Sequence, residues 1–272
     1  MSAASDYIHG YTAREAERLG DQAKTLAALL HSDTRYPPRS RVLEAGCGIG
    51  AQTVTLARQS PGATIVAVDV SAVSLGTARE QTRSAQLENV AFAQADIYAP
   101  PFAPATFDHV FVCFVLEHLS RPAEALSNLR SVLKPGGTVT VIEGDHGSAY
   151  FHPDSPHARQ TIQCLVDLQA RAGGNSLIGR ALYPLLTGAG FRNVEVSPRI
   201  VYVDSSRPGL VEGFTKNTFT AMVEGVRERA LAEGLIDKTT WQKGIEDLYR
   251  TAEADGTFCY TFFKAVAKRE AV

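Results

Sequence analysis

Val42-Leu43-Glu44-Ala45-Gly46-Cys47-Gly48-Ile49-Gly50 is the stretch from which the fold can be read. Its first half is a short apolar strand, and its second half is a glycine-rich turn. Residues 51–59 that follow have a helical pattern. Glycines between a strand and a helix let the backbone turn sharply and come close to a ligand. The helix beyond adds oriented N–H groups. Gly46, Gly48 and Ala51 also satisfy the G-x-G-x-x-G/A pattern of dinucleotide sites, a weak signal when it stands alone.

Outward from this turn the pattern repeats. Thr64–Asp69 reads as a second strand, residues 72–85 as a helix and residues 90–93 as a third strand. Residues 109–114 form a fourth strand, apolar throughout. A helix over 122–133 starts at Arg121-Pro122 and stops before Pro135-Gly136-Gly137. Residues 138–142 are a fifth strand. Apolar strands alternating with helices specify a doubly wound α/β fold, with a mostly parallel sheet covered on both faces. Asp69 closes the second strand, 19 positions beyond Gly50, where a carboxylate can accept ribose hydroxyls. Asp96 follows the third strand and can meet the exocyclic amine of an adenine, with Ile97 beside the ring. All three signals fall at C-terminal strand ends, where open α/β sheets bind ligands.

The flanks are less regular. Residues 13–30 read as an amphipathic helix through Leu19, Ala23, Leu26 and Leu30. Residues 1–38 are therefore expected to form a closing segment and helix ahead of a cofactor-binding core at 39–145. Residues 146–178 hold a loop and one helix, and residues 179–189 a helix that packs on the sheet and ends at Gly190. Residues 194–203 and 257–267 read as two last strands. The 207–255 stretch between them is too long for a hairpin loop, and Met222, Val226 and Ala230 recur at helical spacing. It reads as a helical cap inserted into a single domain spanning 1–272.

Composition narrows the partners. The chain has 272 residues, 44% hydrophobic and 21% charged, which suits a globular domain. Its 27 Lys plus Arg against 29 Asp plus Glu give a net charge of −2, with no basic run, so no nucleic-acid partner is expected. No apolar run is long enough to span a bilayer, and the N-terminus lacks the pattern of a signal peptide. Cys47, Cys113, Cys164 and Cys259 are scattered and form no metal-binding pair, so no metal is expected and a reducing cytoplasm is the default.

VLEAGCGIG (42–50), VDVSAVSLGTAR (68–79), ADIYAPPFAPATFDHVFVCFVLEHL (95–119) and LKPGGTVTVIE (133–143) resemble, in order and spacing, the class I S-adenosylmethionine-dependent methyltransferases. Within these the resemblance is to the ubiquinone/menaquinone-type methyltransferase-like group. It covers about residues 40–145, and the C-terminal third is only loosely similar. The resemblance implies a Rossmann-like sheet of seven strands, the last antiparallel, and S-adenosyl-L-methionine as cofactor. It implies that Gly46 and Gly48 place backbone against the methionine part, with Glu44 organising the loop and Cys47 as a small residue within it. Asp69 would bind ribose, Val70 would flank the adenine, and Asp96 and Ile97 would fix it. Phe114 would lie near the sulfur, His118 would wall the site, and Tyr7 and Tyr11 would close over the cofactor.

Methyl transfer from a sulfonium is an in-line displacement with a neutral leaving group, so it needs no general acid. Alignment alone can supply up to roughly 7–11 kcal/mol. A less acidic nucleophile would still gain from a base. The candidates are Glu143, Asp145 and His146, just past the fifth strand: His146 to take a proton, and Glu143 or Asp145 to orient a ring or bind a cation. The bland alternative is that they cap a loop. Phe214, with Phe219, Met222 and Trp241, would line an apolar substrate cavity, or else form the cap's own core or the surface of a homodimer. Arg180 and Asn217 are candidate polar contacts to substrate.

The leading expectation is methyl transfer to N, O or C of a small organic molecule. An NAD(P)-dependent oxidoreductase is supported by the glycine pattern alone. A cofactor-binding protein with a non-methylating role is the third alternative. Methylation of a macromolecule is disfavoured by the cap and the near-neutral charge.

Overall fold

A computed structural model of the chain describes residues 13–271, with side chains from Arg18 onward. Tyr7 and Tyr11 lie outside the described residues. The strands are β1 (Arg41–Ala45), β2 (Thr64–Asp69), β3 (Val90–Gln94), β4 (Phe107–Cys113), β5 (Leu133–Gly144), β6 (Tyr150–His152), β7 (Arg192–Val203) and β8 (Thr257–Lys268). The helices used below are α1 (Ala13–His31), α2 (Thr53–Gln59), α3 (Ala72–Ser84), α4 (Pro122–Val132), α5 (Pro156–Arg171) and α6 (Leu182–Gly188).

β3, β2, β1, β4 and β5 pair in that order, all parallel. β8 runs antiparallel to β5 and carries β7 on its other flank. The doubly wound, mostly parallel sheet expected from the sequence is present. Among the described residues it has eight strands, one more than the seven implied by the resemblance. The addition is β6, which pairs with residues 257–259 at the start of β8, the stretch that β5 leaves uncovered. Three residues of extended chain after a turn carry too little pattern to be read as a strand.

Successive residues of each central strand enter opposite faces, as the pleat requires. Val42, Ile65, Phe111 and Ile142 join one core with Leu26 and Leu30 of α1, Leu56 of α2 and Leu165 of α5. Leu43, Val66, Val110 and Val141 join the other, with Leu126 and Leu129 of α4 and Leu182 and Leu186 of α6. A strand buried on both sides reads as a continuous apolar run, and this is why β1, β2 and β4 were legible. β5 begins at Leu133, earlier than expected, because Leu133 pairs with Phe107 before residues 134–137 loop out and the ladder resumes at His109 and Thr138.

The segment between β7 and β8 is helical. It contains a π-helix (Val211–Thr220) and the helices Ala221–Glu224, Arg227–Ala232 and Lys238–Arg250. The Thr218 hydroxyl donates to the Gly213 carbonyl at 2.6 Å, five residues back along the wide turn. A side chain at Gly213 would collide with Thr25 of α1, so this segment packs closely on α1. Such wide turns recur at functional sites. Here the turn brings Phe214, Thr218 and Phe219 to the inner side.

Candidate active site

The glycine turn stands on β1 and is tied to β2. Gly46 and Cys47 donate their N–H groups to the Val68 carbonyl, at 2.8 and 2.9 Å. The Gly48 N–H donates to Asp69 Oδ2, and the Ser71 N–H to Asp69 Oδ1, both at 2.8 Å. Gly46 and Gly48 have φ of +77° and +52°, a region that costs residues with a Cβ. They differ in surroundings. A Cβ on Gly46 would lie 2.5 Å from Val115, whereas one on Gly48 would meet nothing within 4 Å among the described residues. Open space above Gly48 is what the close approach of a ligand requires.

Asp69, half-buried at the tip of β2, keeps acceptor capacity on both oxygens beyond its two backbone contacts. Next to it Val70 is 55% exposed, an apolar surface at the strand tip. Ile97 is buried and Asp96 exposed at the end of β3, with Asp96 Oδ1 accepting the Tyr98 N–H at 2.8 Å. Glu44 is buried beneath the turn, and its Oε2 has no hydrogen-bond partner among the described residues. Burial, then the Asp69 charge, push its carboxyl up to about 8. A buried acceptor left unpaired in this way suits a cationic or hydrogen-bond-donating ligand group. Together these residues fit an adenosyl cofactor: a hydroxyl-accepting carboxylate, an apolar adenine slot and an open glycine turn.

Beyond β4 the chain turns through Phe114, whose φ of +57° is uncommon for a residue with a Cβ. Such strain persists only where the surroundings enforce it. Phe114 borders a cavity of about 50 Å³, together with His118, His146, Phe214, Phe219 and Tyr260. Leu19 and Gln22 of α1, Glu117, Gly144 and Met222 complete much of its wall. Phe114, His118, His146 and Phe214 thus line one cavity. Arg180 and Asn217 do not line this cavity. Arg180 grips Asp145 with two hydrogen bonds of 2.7 and 2.8 Å, and Asn217 faces outward.

The three acid–base candidates separate by their partners. Glu143 Oε1 accepts the N–H groups of Val115 and Leu116 at 3.0 and 2.7 Å, so this side chain holds the turn after β4. Burial, then the neighbouring Glu117, keep its carboxyl well above the usual range. Asp145 caps the short turn at His146–Ser148 by accepting the Gly147 N–H at 3.0 Å, and it is otherwise committed to Arg180. His146 is buried, with Nδ1 2.7 Å from the Tyr260 hydroxyl and Nε2 unpartnered among the described residues. Burial lowers its pKa, so the ring is neutral.

Tyr260 and Glu117 escaped sequence reasoning. In β8, Phe258, Tyr260 and Phe262 are all buried on one face, and this period-two aromatic run is the signal that marks Tyr260. A side chain on Gly144 would collide with the Tyr260 hydroxyl, so a glycine is needed opposite it. Glu117 sits in the short helical turn after β4, 3.6 Å from His118 Nε2, with Gln169 Nε2 3.4 Å from its Oε2.

The fold and the strand-tip cradle define a Rossmann-like protein built for an adenosyl cofactor. Residues 42–137 match the methyltransferase domain family. Trans-aconitate 2-methyltransferase of Deinococcus radiodurans is 31% identical over 222 residues, covering 80% of this chain and 74% of that protein. The chain belongs to the class I S-adenosylmethionine-dependent methyltransferases. Phosphoethanolamine N-methyltransferase 2 of Haemonchus contortus, solved with S-adenosylhomocysteine, shares the fold, with a TM-score of 0.57 and 19% identity over 91% of this chain and 52% of that one. A 37.1 kDa protein of a Streptomyces fradiae transposon is 29% identical over 84% of this chain. The chain spans 63% of that protein, and 33% and 53% of two other curated relatives. These likenesses lend the nicotinamide alternative no support.

Proposed function

We propose that this protein transfers a methyl group from S-adenosylmethionine to a small organic acceptor held in the cavity beside Phe114 and His146. The observation that carries the reading is the joint geometry of Gly48, Asp69, Val70 and Ile97 at adjacent strand tips, with an aromatic cavity next to it past β4. The bound cofactor supplies an electrophilic methyl carbon whose departure leaves a neutral thioether.

The chain's own residues would do the rest. Asp69 accepts the ribose hydroxyls, and Val70 and Ile97 enclose the adenine with Asp96 at its edge. Gly46, Cys47 and Gly48 offer backbone to the methionine part, above the buried carboxyl group of Glu44. Phe114, Phe214 and Phe219 exclude water from the reacting atoms and select the acceptor by shape. Glu143 and Asp145 hold the framework, and His146 presents the polar group that meets the acceptor. The helices between β7 and β8 serve as the cap. Both named methyltransferases above are called after small molecules, which favours a small acceptor here. No helix among the described residues is long and apolar enough to cross a membrane. The four unpaired thiols suit a cytoplasmic setting.

Calorimetric titration tests the reading. S-adenosylhomocysteine should bind at one site per chain, and NADH should not compete. Binding of NADH in preference would overturn it.

A further inference from the structure

Tyr260 comes from β8, 114 positions beyond His146, and its hydroxyl meets the ring at Nδ1. Which way that hydrogen bond runs decides the chemistry of the other nitrogen. A neutral imidazole carries one N–H, and the partner of one nitrogen fixes where that proton sits.

The hydroxyl is buried, and its oxygen is faced by the backbone N–H of Asp145. Its own proton has one acceptor among the described residues, His146 Nδ1. If Nδ1–H donated instead, a buried O–H would be left without an acceptor, at a cost of about 1–3 kcal/mol. Burial keeps the phenol far from ionising, so the O–H remains a donor at any ordinary pH. The hydrogen bond therefore runs from Tyr260 to Nδ1, and the ring's proton sits on Nε2. That atom is buried and has no partner among the described residues. The charged and titratable groups that bear on the ring are Glu117, Asp145, His118 and Arg18, and burial outweighs them in keeping it neutral.

We propose that His146 is a fixed neutral Nε2–H donor, set by Tyr260 as a positioning residue, and that it receives an acceptor entering as an oxyanion, a carboxylate in the simplest case. The inference rests on the methyltransferase reading and names the substrate class of the same cavity. Among the described residues each carboxyl group near the ring is engaged through at least one oxygen, and Glu143 Oε2, which is unpartnered, is buried. Asp145 is paired with Arg180, Glu143 holds the turn at Val115 and Leu116, and Glu117 faces His118 and Gln169. A neutral alcohol would need one of these engaged carboxyl groups as base, and an ammonium would set donor against donor at Nε2. An oxyanion needs no deprotonation. Its oxygen forms the new O–C bond as the C–S bond breaks, and the bonding pair stays on sulfur. One sulfonium and one anion become a neutral thioether and a neutral ester, with no proton left over.

The test is nitrogen NMR of histidine-labelled full-length protein without cofactor, with the His146 signals assigned by their loss in His146→Gln. The expected result is a neutral ring protonated at Nε2. Acetate, small enough for the cavity, should then shift the Nε2–H signal saturably, while methylammonium at equal ionic strength should not. Tyr260→Phe should yield mixed tautomers and weaken acetate about tenfold. A ring protonated at Nδ1 would overturn the proposal in favour of a base, and so would a response to methylammonium without one to acetate. An acetate titration that leaves the signal unmoved would overturn the oxyanion assignment. Because these readouts need no cofactor, their failure is distinguishable from failure of S-adenosylhomocysteine to bind.

Discussion

The backbone N–H of Gly48 donates to Asp69 Oδ2 at 2.8 Å, joining the turn after β1 to the tip of β2. One carboxylate thus shapes the glycine turn and offers its remaining lone pairs to a ligand. Both halves of the cofactor cradle depend on it.

Asp69→Ala should weaken S-adenosylhomocysteine by about tenfold to a hundredfold, the range for hydrogen bonds to a charged group. Stability should fall by only about 1 kcal/mol, since the backbone contacts it supports are near the surface. Calorimetry and denaturant unfolding on one preparation separate the two. Undiminished affinity would remove Asp69 from the site.

The two glycines of the turn should respond differently. Gly46→Ala places a Cβ 2.5 Å from Val115 at a φ of +77°, and should destabilise the fold by about 1–3 kcal/mol. Gly48→Ala meets open space, so it should cost about 1 kcal/mol from its positive φ and act mainly on cofactor affinity. Equal loss of stability in both would contradict the open cradle.

Gly144→Ala should be destabilising because its methyl group would displace the Tyr260 hydroxyl. The cost should be about 1–3 kcal/mol, and smaller in a Tyr260→Phe background, where that oxygen is gone. A double-mutant cycle by urea unfolding measures the difference, and strict additivity would mean that the two groups do not touch.

His31 gives a pH dependence. It is buried at the end of α1 with Nε2 2.8 Å from Gln52 Oε1, and burial, the largest influence, lowers its pKa from 6.5 to about 4. The unfolded chain therefore takes up this proton first as pH falls. The stability it contributes is complete above pH 6.5 and declines towards pH 4, by up to about 3 kcal/mol. His31→Gln should flatten that decline in denaturant unfolding series. An unchanged slope would mean that His31 is charged in the fold.

Much of this was legible because local sequence and global fold agree. β1, β2 and β4 are apolar on both faces, and glycines follow β1 where the backbone needs positive φ. Asp69 and Asp96 fall at strand ends whose positions the pattern fixed. What escaped reading depends on contacts remote in sequence. Nothing near His146 announces Tyr260, since the pairing of β5 with β8 brings them together. Glu143 and Asp145 were read for chemistry, yet Glu143 Oε1 is spent on Val115 and Leu116, and Asp145 on Gly147 and Arg180. Arg180 and Asn217 were placed by position in the chain, which does not say which way a side chain turns. β6 was too short to show a period.

A crystal structure with S-adenosylhomocysteine tests the central claim most directly. The account predicts ribose hydroxyls on Asp69, adenine between Val70 and Ile97, and sulfur near Phe114 facing the His146 cavity. Density for the ligand elsewhere, with the space above Gly48 empty, would contradict it.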